Sequence, residues 1–445
     1  MKNTLLLSLI FFANLAHAQK MSSKNAAADL NLTIKTIENV HYNPYFKTNK
    51  EDVKAFKDSV VSSWNKDSIN PKEFLKAGLK LTALMSGGHT QFDWQFNAIY
   101  PQLMSELYVP FKATLSTGKI YISESLDSSL EIDNEIISIN GVKSEVIYNE
   151  LLSYKGGIKE FVESHGGQLF PLHLFFSDLV EAPYKIQLKD KVVNIEGVNV
   201  NTIVPFLQQQ FSLPDYTFSV LENNVGFIEY NSCNDEKKFK LFLDSTFKEI
   251  KSKSIEHLVI DISKNSGGNS DLNIHLLSYL TNKKYRQFCG RYWKVSQEIK
   301  DQIINDSLWY NVFPEDFLKK YLATETGSLI DDVDTIYYEN TQISEPFYKG
   351  KFCFIIGPQT FSSANFLADA VSTFKIAKIF GQASGEFTND FGEQIECKLP
   401  NTGVYLLIAS TYDIGANGKK DYYHPIYPDV YSNNALEDAI KWLKD

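Results

Sequence analysis

Cysteine is scarce in this 445-residue chain, which holds four, Cys233, Cys289, Cys353 and Cys397, with no CxxC pair among them. So thin a set excludes the dense disulfide framework of small secreted domains. Cys353 and Cys397 are expected as small hydrophobes buried in strands rather than as metal ligands. Positive charge in excess is also lacking, since 44 Lys and Arg face 54 Asp and Glu for a net charge of -10. That balance argues against nucleic acid as a partner, which would require a basic face. No apolar run reaches the roughly 20 residues of a membrane-spanning helix. HExxH and a phosphate-binding P-loop are absent, and His41, His165, His173, His257, His275 and His424 show no ligand spacing. Neither a metal nor an organic cofactor is therefore expected.

Apolar material is ample: hydrophobic residues make up 43% of the chain and aromatic residues 13%, enough for a core and for two or three domains. The first 18 residues read as a signal peptide, with Lys2 for charge, an apolar stretch from Leu5 to Leu15, and Ala16-His17-Ala18 as a cleavage site before Gln19. An exported protein, periplasmic or secreted, is the expectation.

Three textures follow. Residues 19–105 are mostly helical in pattern, and the helix begun at Pro71 runs out at Ser86-Gly87-Gly88-His89. Residues 106–200 are β-rich, with a strand closing in Asn140-Gly141, a helical pattern through Ile147 and Leu151, and a hairpin around Lys189-Asp190-Lys191. This segment resembles a PDZ domain, a fold that takes up the C-terminus of a peptide as an added strand. Residues 201–445 alternate strand and helix, as an α/β core does.

Chemistry gathers at three places. Thr360-Phe361-Ser362-Ser363-Ala364-Asn365 lies between the apolar run Phe352 to Ile356 and a helical pattern. Ser362 then stands at a helix N-terminus, where it can serve either as a cap or as a nucleophile among unpaired N–H groups. Gly267-Gly268 ends the strand from His257 to Ile262, and such a pair can turn backbone N–H groups into a cleft as an oxyanion hole, or merely form a turn. His89 follows a glycine pair, a setting that suits presentation of a side chain better than its burial. Its ordinary pKa lets the neutral ring take a proton near pH 7.

The ordered segments "VGFIEY", "HLVIDISKNSGG", "FCFIIGPQTFSSANFLADAV", "IAKIFGQASGE", "LPNTG" and "HPIYPDV" resemble the carboxy-terminal-processing, or tail-specific, serine peptidases. The branch related to the tricorn protease core and to the interphotoreceptor retinoid-binding protein is the more similar one. The resemblance implies a ClpP/crotonase-like α/β core carrying an N-terminal helical region and an inserted PDZ-like domain. It also implies a polypeptide substrate bound at its C-terminus. Carried over, the nucleophile falls on Ser362, the general base on His89 in Gly88-His89-Thr90, and the oxyanion donors on the N–H groups of Gly268 and Ser363. The lysine of the other branch would fall on Phe387, so a Ser-Lys dyad is excluded. No residue matches the group that should orient the histidine; Asp93, Asp421 and Asp429 are all candidates. A catalytically silent relative that binds peptides or apolar ligands is the alternative.

Overall fold

The computed structural model describes residues 20–85, 87–93, 97–222, 224–331 and 343–445; the signal-peptide segment lies outside them. The chain opens with helices α1 (Ser23–Val40), α2 (Lys50–Ser63) and α3 (Pro71–Met85). Proline starts α3, where its missing N–H costs nothing, and the helix buries Phe74, Leu75 and Leu81. Strand β1 (Gln91–Phe92) follows, two residues beyond His89.

A β-rich unit comes next: β2 (Phe111–Ser116), β3 (Lys119–Ser125), β4 (Glu135–Ile139), helices α4 (Ser144–Leu152), α5 (Lys159–Gln168) and α6 (Phe170–Ser177), then β5 (Tyr184–Leu188) and β6 (Val192–Ile195). Its strands pair antiparallel in the order β2-β3-β4-β5-β6 around their own core of Ile120, Ile136, Ile139, Ile147 and Ile186. The stretch between α4 and β5 holds α5 and α6.

The α/β core contains β7 (Tyr216–Leu221), β8 (Val225–Tyr230), α7 (Glu236–Ser252), β9 (His257–Asp261), α8 (Asp271–Leu280), β10 (Phe288–Lys294), β11 (Lys351–Ile356), α9 (Ser363–Thr373), β12 (Lys378–Gly381), β13 (Gln394–Lys398), β14 (Tyr405–Ala409), β15 (Thr411–Gly415), β16 (Val430–Tyr431) and α10 (Ala435–Lys444). A six-stranded sheet runs β7-β8-β9-β11-β12-β16, parallel except at the β7 edge. Strands β9 and β11 read as unbroken apolar runs because both faces are covered. Helices α7, α8 and α9 pack on one face and α10 on the other. Adjacent strands β9 and β11 therefore deliver their following turns to the same edge of the sheet, where α/β proteins build their sites. Far from it in sequence, β1 joins the small sheet β13-β14-β1 through Leu406↔Phe92 and Leu407↔Gln91.

Candidate active site

The turn after β11 is fastened before it reaches Ser362. Thr360 Oγ1 accepts the Gly357 N–H at 3.0 Å and donates to the Ile262 carbonyl at 2.9 Å, tying the ends of β11 and β9 together. Phe361 N–H donates to the Asn265 carbonyl at 3.0 Å. Ser362 then adopts φ 52° and ψ -125°, a conformation costly for any residue with a Cβ, and its hydroxyl makes no capping bond to α9. The cap, one of the two roles open to this serine, is not the one it fills. A strained serine between strand and helix, its hydroxyl free of the helix, has the geometry of a nucleophile elbow. Buried Asn273 and Asn365 hold the far side, donating to the carbonyls of Ser363 and Phe387 at 2.8 Å each.

The Gly267-Gly268 turn lies directly against this elbow. Gly267 has φ 98°, and a Cβ there would come within 2.6 Å of Ser362 Cβ. Gly268 has φ 133°, and its Cβ would lie 2.4 Å from the Cys233 carbonyl oxygen. Only glycine permits both approaches. Cys233 bridges this turn through the Gly267 carbonyl and the Asn269 N–H, at 3.0 and 2.8 Å, so the intervening Gly268 N–H stands outside that pairing. Ser363 Oγ donates to the Gly268 carbonyl at 2.6 Å, while the Ser363 N–H opens α9, where no preceding turn offers an acceptor. The two backbone groups expected as oxyanion donors thus belong to one fastened unit.

His89 departs from expectation in being buried, at 8% exposure. Its ring stacks on Phe361, the residue before Ser362, with centroids 4.5 Å apart. The Phe161 ring of α5 covers Phe361 in turn, at 4.6 Å. Nδ1 of His89 lies 3.1 Å from Glu386 Oε1, although the ring N–H is not aligned for a well-formed hydrogen bond, so the contact is mainly one of charge. The other carboxylate oxygen of Glu386 accepts the Ser362 N–H at 2.5 Å. One carboxylate therefore touches both the histidine and the serine turn. Burial presses the imidazole toward its neutral form, but Glu386 and, more weakly, Asp390 outweigh it, and the pKa of His89 lies above its ordinary value. Asp390 receives the N–H groups of Phe387 and Phe391, and burial together with the Glu386 charge pushes its carboxyl well up.

Asp93, Asp421 and Asp429 are not the carboxylates against His89. Asp429 receives the Ile379 N–H at the start of β12, the Asp93 main chain donates to Tyr405, and Asp421 sits in a turn at φ 56°. The carboxylate that lies against His89 is that of Glu386, one residue before Phe387.

Residues 224–431 match the family model described as Peptidase family S41. That match covers a little under half of the chain and is what this chain is similar to over those residues. No curated protein matches the chain. Among solved structures it is similar to mature CPAF complexed with lactacystin, with a TM-score of 0.61 and 15% identity over 95% of this chain and 97% of that one. It is likewise similar to mature CPAF, with a TM-score of 0.58 and 16% identity over 95% and 96% of the two chains. These likenesses establish the mixed α/β fold.

All four cysteines are free. Cys353 is buried in β11, as its pattern implies, whereas Cys397 in β13 is half-buried. Among the described residues no group of three or more His, Cys, Asp or Glu side chains is placed to hold a metal, and no helix is long and apolar enough to cross a membrane.

Proposed function

We propose that this chain is an exported serine-type peptidase of the S41 family, with Ser362 as nucleophile, His89 as general base and Glu386 as the group that orients the base. The observation that carries the reading is the Glu386 carboxylate, which joins His89 Nδ1 to the main chain of Ser362. With Nδ1 held there, Nε2 is the ring nitrogen left to serve the serine hydroxyl.

Ser362 Oγ attacks the scissile carbonyl carbon while His89 Nε2 takes its proton, and the N–H groups of Gly268 and Ser363 receive the developing oxyanion. The imidazolium returns the proton to the departing amine as the C–N bond breaks. Water, deprotonated by the same nitrogen, then releases the acyl group and restores the serine. The charge of Glu386 matters most when His89 is protonated, which is the state next to the tetrahedral intermediate.

A silent ligand-binding relative drew its support from the lack of an orienting group. Glu386 removes that support. Export rests on the pattern of Lys2 to Ala18, and a peptide C-terminus as the bound end of the substrate rests on the likeness of residues 106–200 to PDZ domains.

A serine-directed phosphonate tests the reading. It is expected to label the purified protein, to fail with Ser362→Ala and to label His89→Ala far more slowly. Equal labelling of wild type and Ser362→Ala overturns the assignment.

A further inference from the structure

Beside the proposed catalytic residues lies a group of basic side chains that the mechanism above does not use. Lys155, in the loop between α4 and α5, is only 8% exposed. Its ammonium donates to the Gln91 side chain, two residues beyond His89, and lies 5.6 Å from the Phe161 ring centroid. His165 also lies against Phe161, at 5.8 Å between ring centroids, and His173 of α6 follows at 5.4 Å from His165. The buried Nδ1 of His173 has no hydrogen-bond partner. A second ammonium, Lys47, donates to the carbonyl of Gly157, two residues from Lys155.

None of Lys155, His165 and His173 makes an ion pair with a carboxylate among the described residues. Elsewhere this chain supplies such partners freely: Lys76 and Lys80 share Glu150, and Lys112 meets Glu124. A buried ammonium with only an amide oxygen for company is expensive. Burial pulls Lys155 down to about 7, and burial together with the Lys155 charge pulls His173 down to about 3. Phe161 and His165 are partly exposed as residues, while Lys155 and His173 are buried.

We infer that Lys155, with His165 and His173, forms a subsite for a carboxylate of the substrate. The inference rests on the peptidase reading and adds a substrate preference to it. Phe161 links the two places physically, because its ring lies against both Lys155 and Phe361, the neighbour of Ser362. The carboxylate can be the C-terminus of a peptide or an acidic side chain near the scissile bond. Either would supply the missing negative charge, and the bond formed would be a charge-assisted one.

The test is calorimetric binding to the full-length Ser362→Ala protein, which does not depend on turnover. The probes are an N-acetylated apolar hexapeptide with a free C-terminal carboxylate, its C-terminal amide, and that amide with one internal Asp. At least one acidic form is expected to bind about tenfold or more tightly than the neutral amide, the size of one hydrogen bond to a charged group. Which acidic form gains identifies the source of the carboxylate. Lys155→Met should erase the gain and Lys155→Arg should keep it. Runs in two buffers of different ionisation heat at pH 8 should reveal proton uptake with the acidic probe, absent in Lys155→Met, because the ammonium must be charged in the complex. Equal binding of acidic and neutral forms, no binding of either acidic form, or a gain that survives Lys155→Met overturns the inference. Phosphonate labelling of the wild type reports separately on the peptidase reading.

Discussion

The two halves of the proposed site are built by opposite means. Around Ser362 the chain holds itself: neighbouring strands β9 and β11 deliver two turns that are fastened by main-chain bonds, Thr360 and a set of buried asparagines. Around His89 almost nothing is local. Its ring rests on Phe361, its Nδ1 on Glu386, and its carbonyl receives the Gln394 side chain, all from chain distant in sequence. A site made this way has a rigid nucleophile and a base whose state is set by remote charges, so substitutions on the two sides should fail differently.

The largest effect is expected from His89→Ala, which should lower kcat by about 10⁴-fold or more, as loss of a catalytic base does. Circular dichroism and thermal melting should change little by comparison. A melting loss matching that of a core deletion would erase the contrast between the two halves.

Glu386→Gln comes next, with a loss of about 10²- to 10⁴-fold, since removing the orienter of a triad spares the nucleophile and the oxyanion hole. The pH profile should also move. Glu386 holds the pKa of His89 up against burial, so the substitution should shift the acidic limb of kcat/KM to lower pH. Stability carries the same sign. With its folded pKa raised, His89 contributes stability that is present below its ordinary value and lost as pH rises through the folded one. The difference in melting temperature between wild type and Glu386→Gln should therefore shrink from pH 5 to pH 8. A fixed difference would remove Glu386 as the charge that matters.

Gly267→Ala should act on the other half, combining a left-handed φ with a Cβ that meets Ser362. Backbone strain of this kind costs about 1–3 kcal/mol. Activity should fall through displacement of the elbow, with no shift in the pH limb. Thr360→Val keeps the shape and removes both bonds of the hydroxyl, for about 1–3 kcal/mol of stability by denaturant titration. It is expected to change activity least, and a shift in the His89 limb would blur the division.

The same division explains what could be read from the sequence. The apolar runs of β9 and β11, the glycine pair and the serine before a helical pattern are local signals, and the α/β core follows from their order. The paired helices α5 and α6 were hidden because Gly166-Gly167 and Pro171 interrupt the pattern, although burial of Phe170 and Phe176 sustains helix there. Burial of His89 depends on the Phe361 ring, which no local pattern near residue 89 reveals. Glu386 is not legible locally for a similar reason. Nothing in Gly385-Glu386-Phe387 shows that the side chain meets a histidine nearly 300 residues earlier in the chain.

The short pairing of β1 with β14 has a consequence for how the protein is made. His89 belongs to the early part of the chain, yet Gln394, which fixes its carbonyl, is 305 residues downstream. At the usual pace of about 5–20 residues per second, synthesis of that stretch takes roughly 15–60 s. Through nearly all of that interval the histidine has neither its carboxylate nor its strand partner, and Ser362 itself is made 273 residues after it. A nascent chain of this protein thus carries no assembled form of the proposed centre until the segment through Gln394 has been made, so any activity of that centre has to await synthesis of chain far downstream of His89.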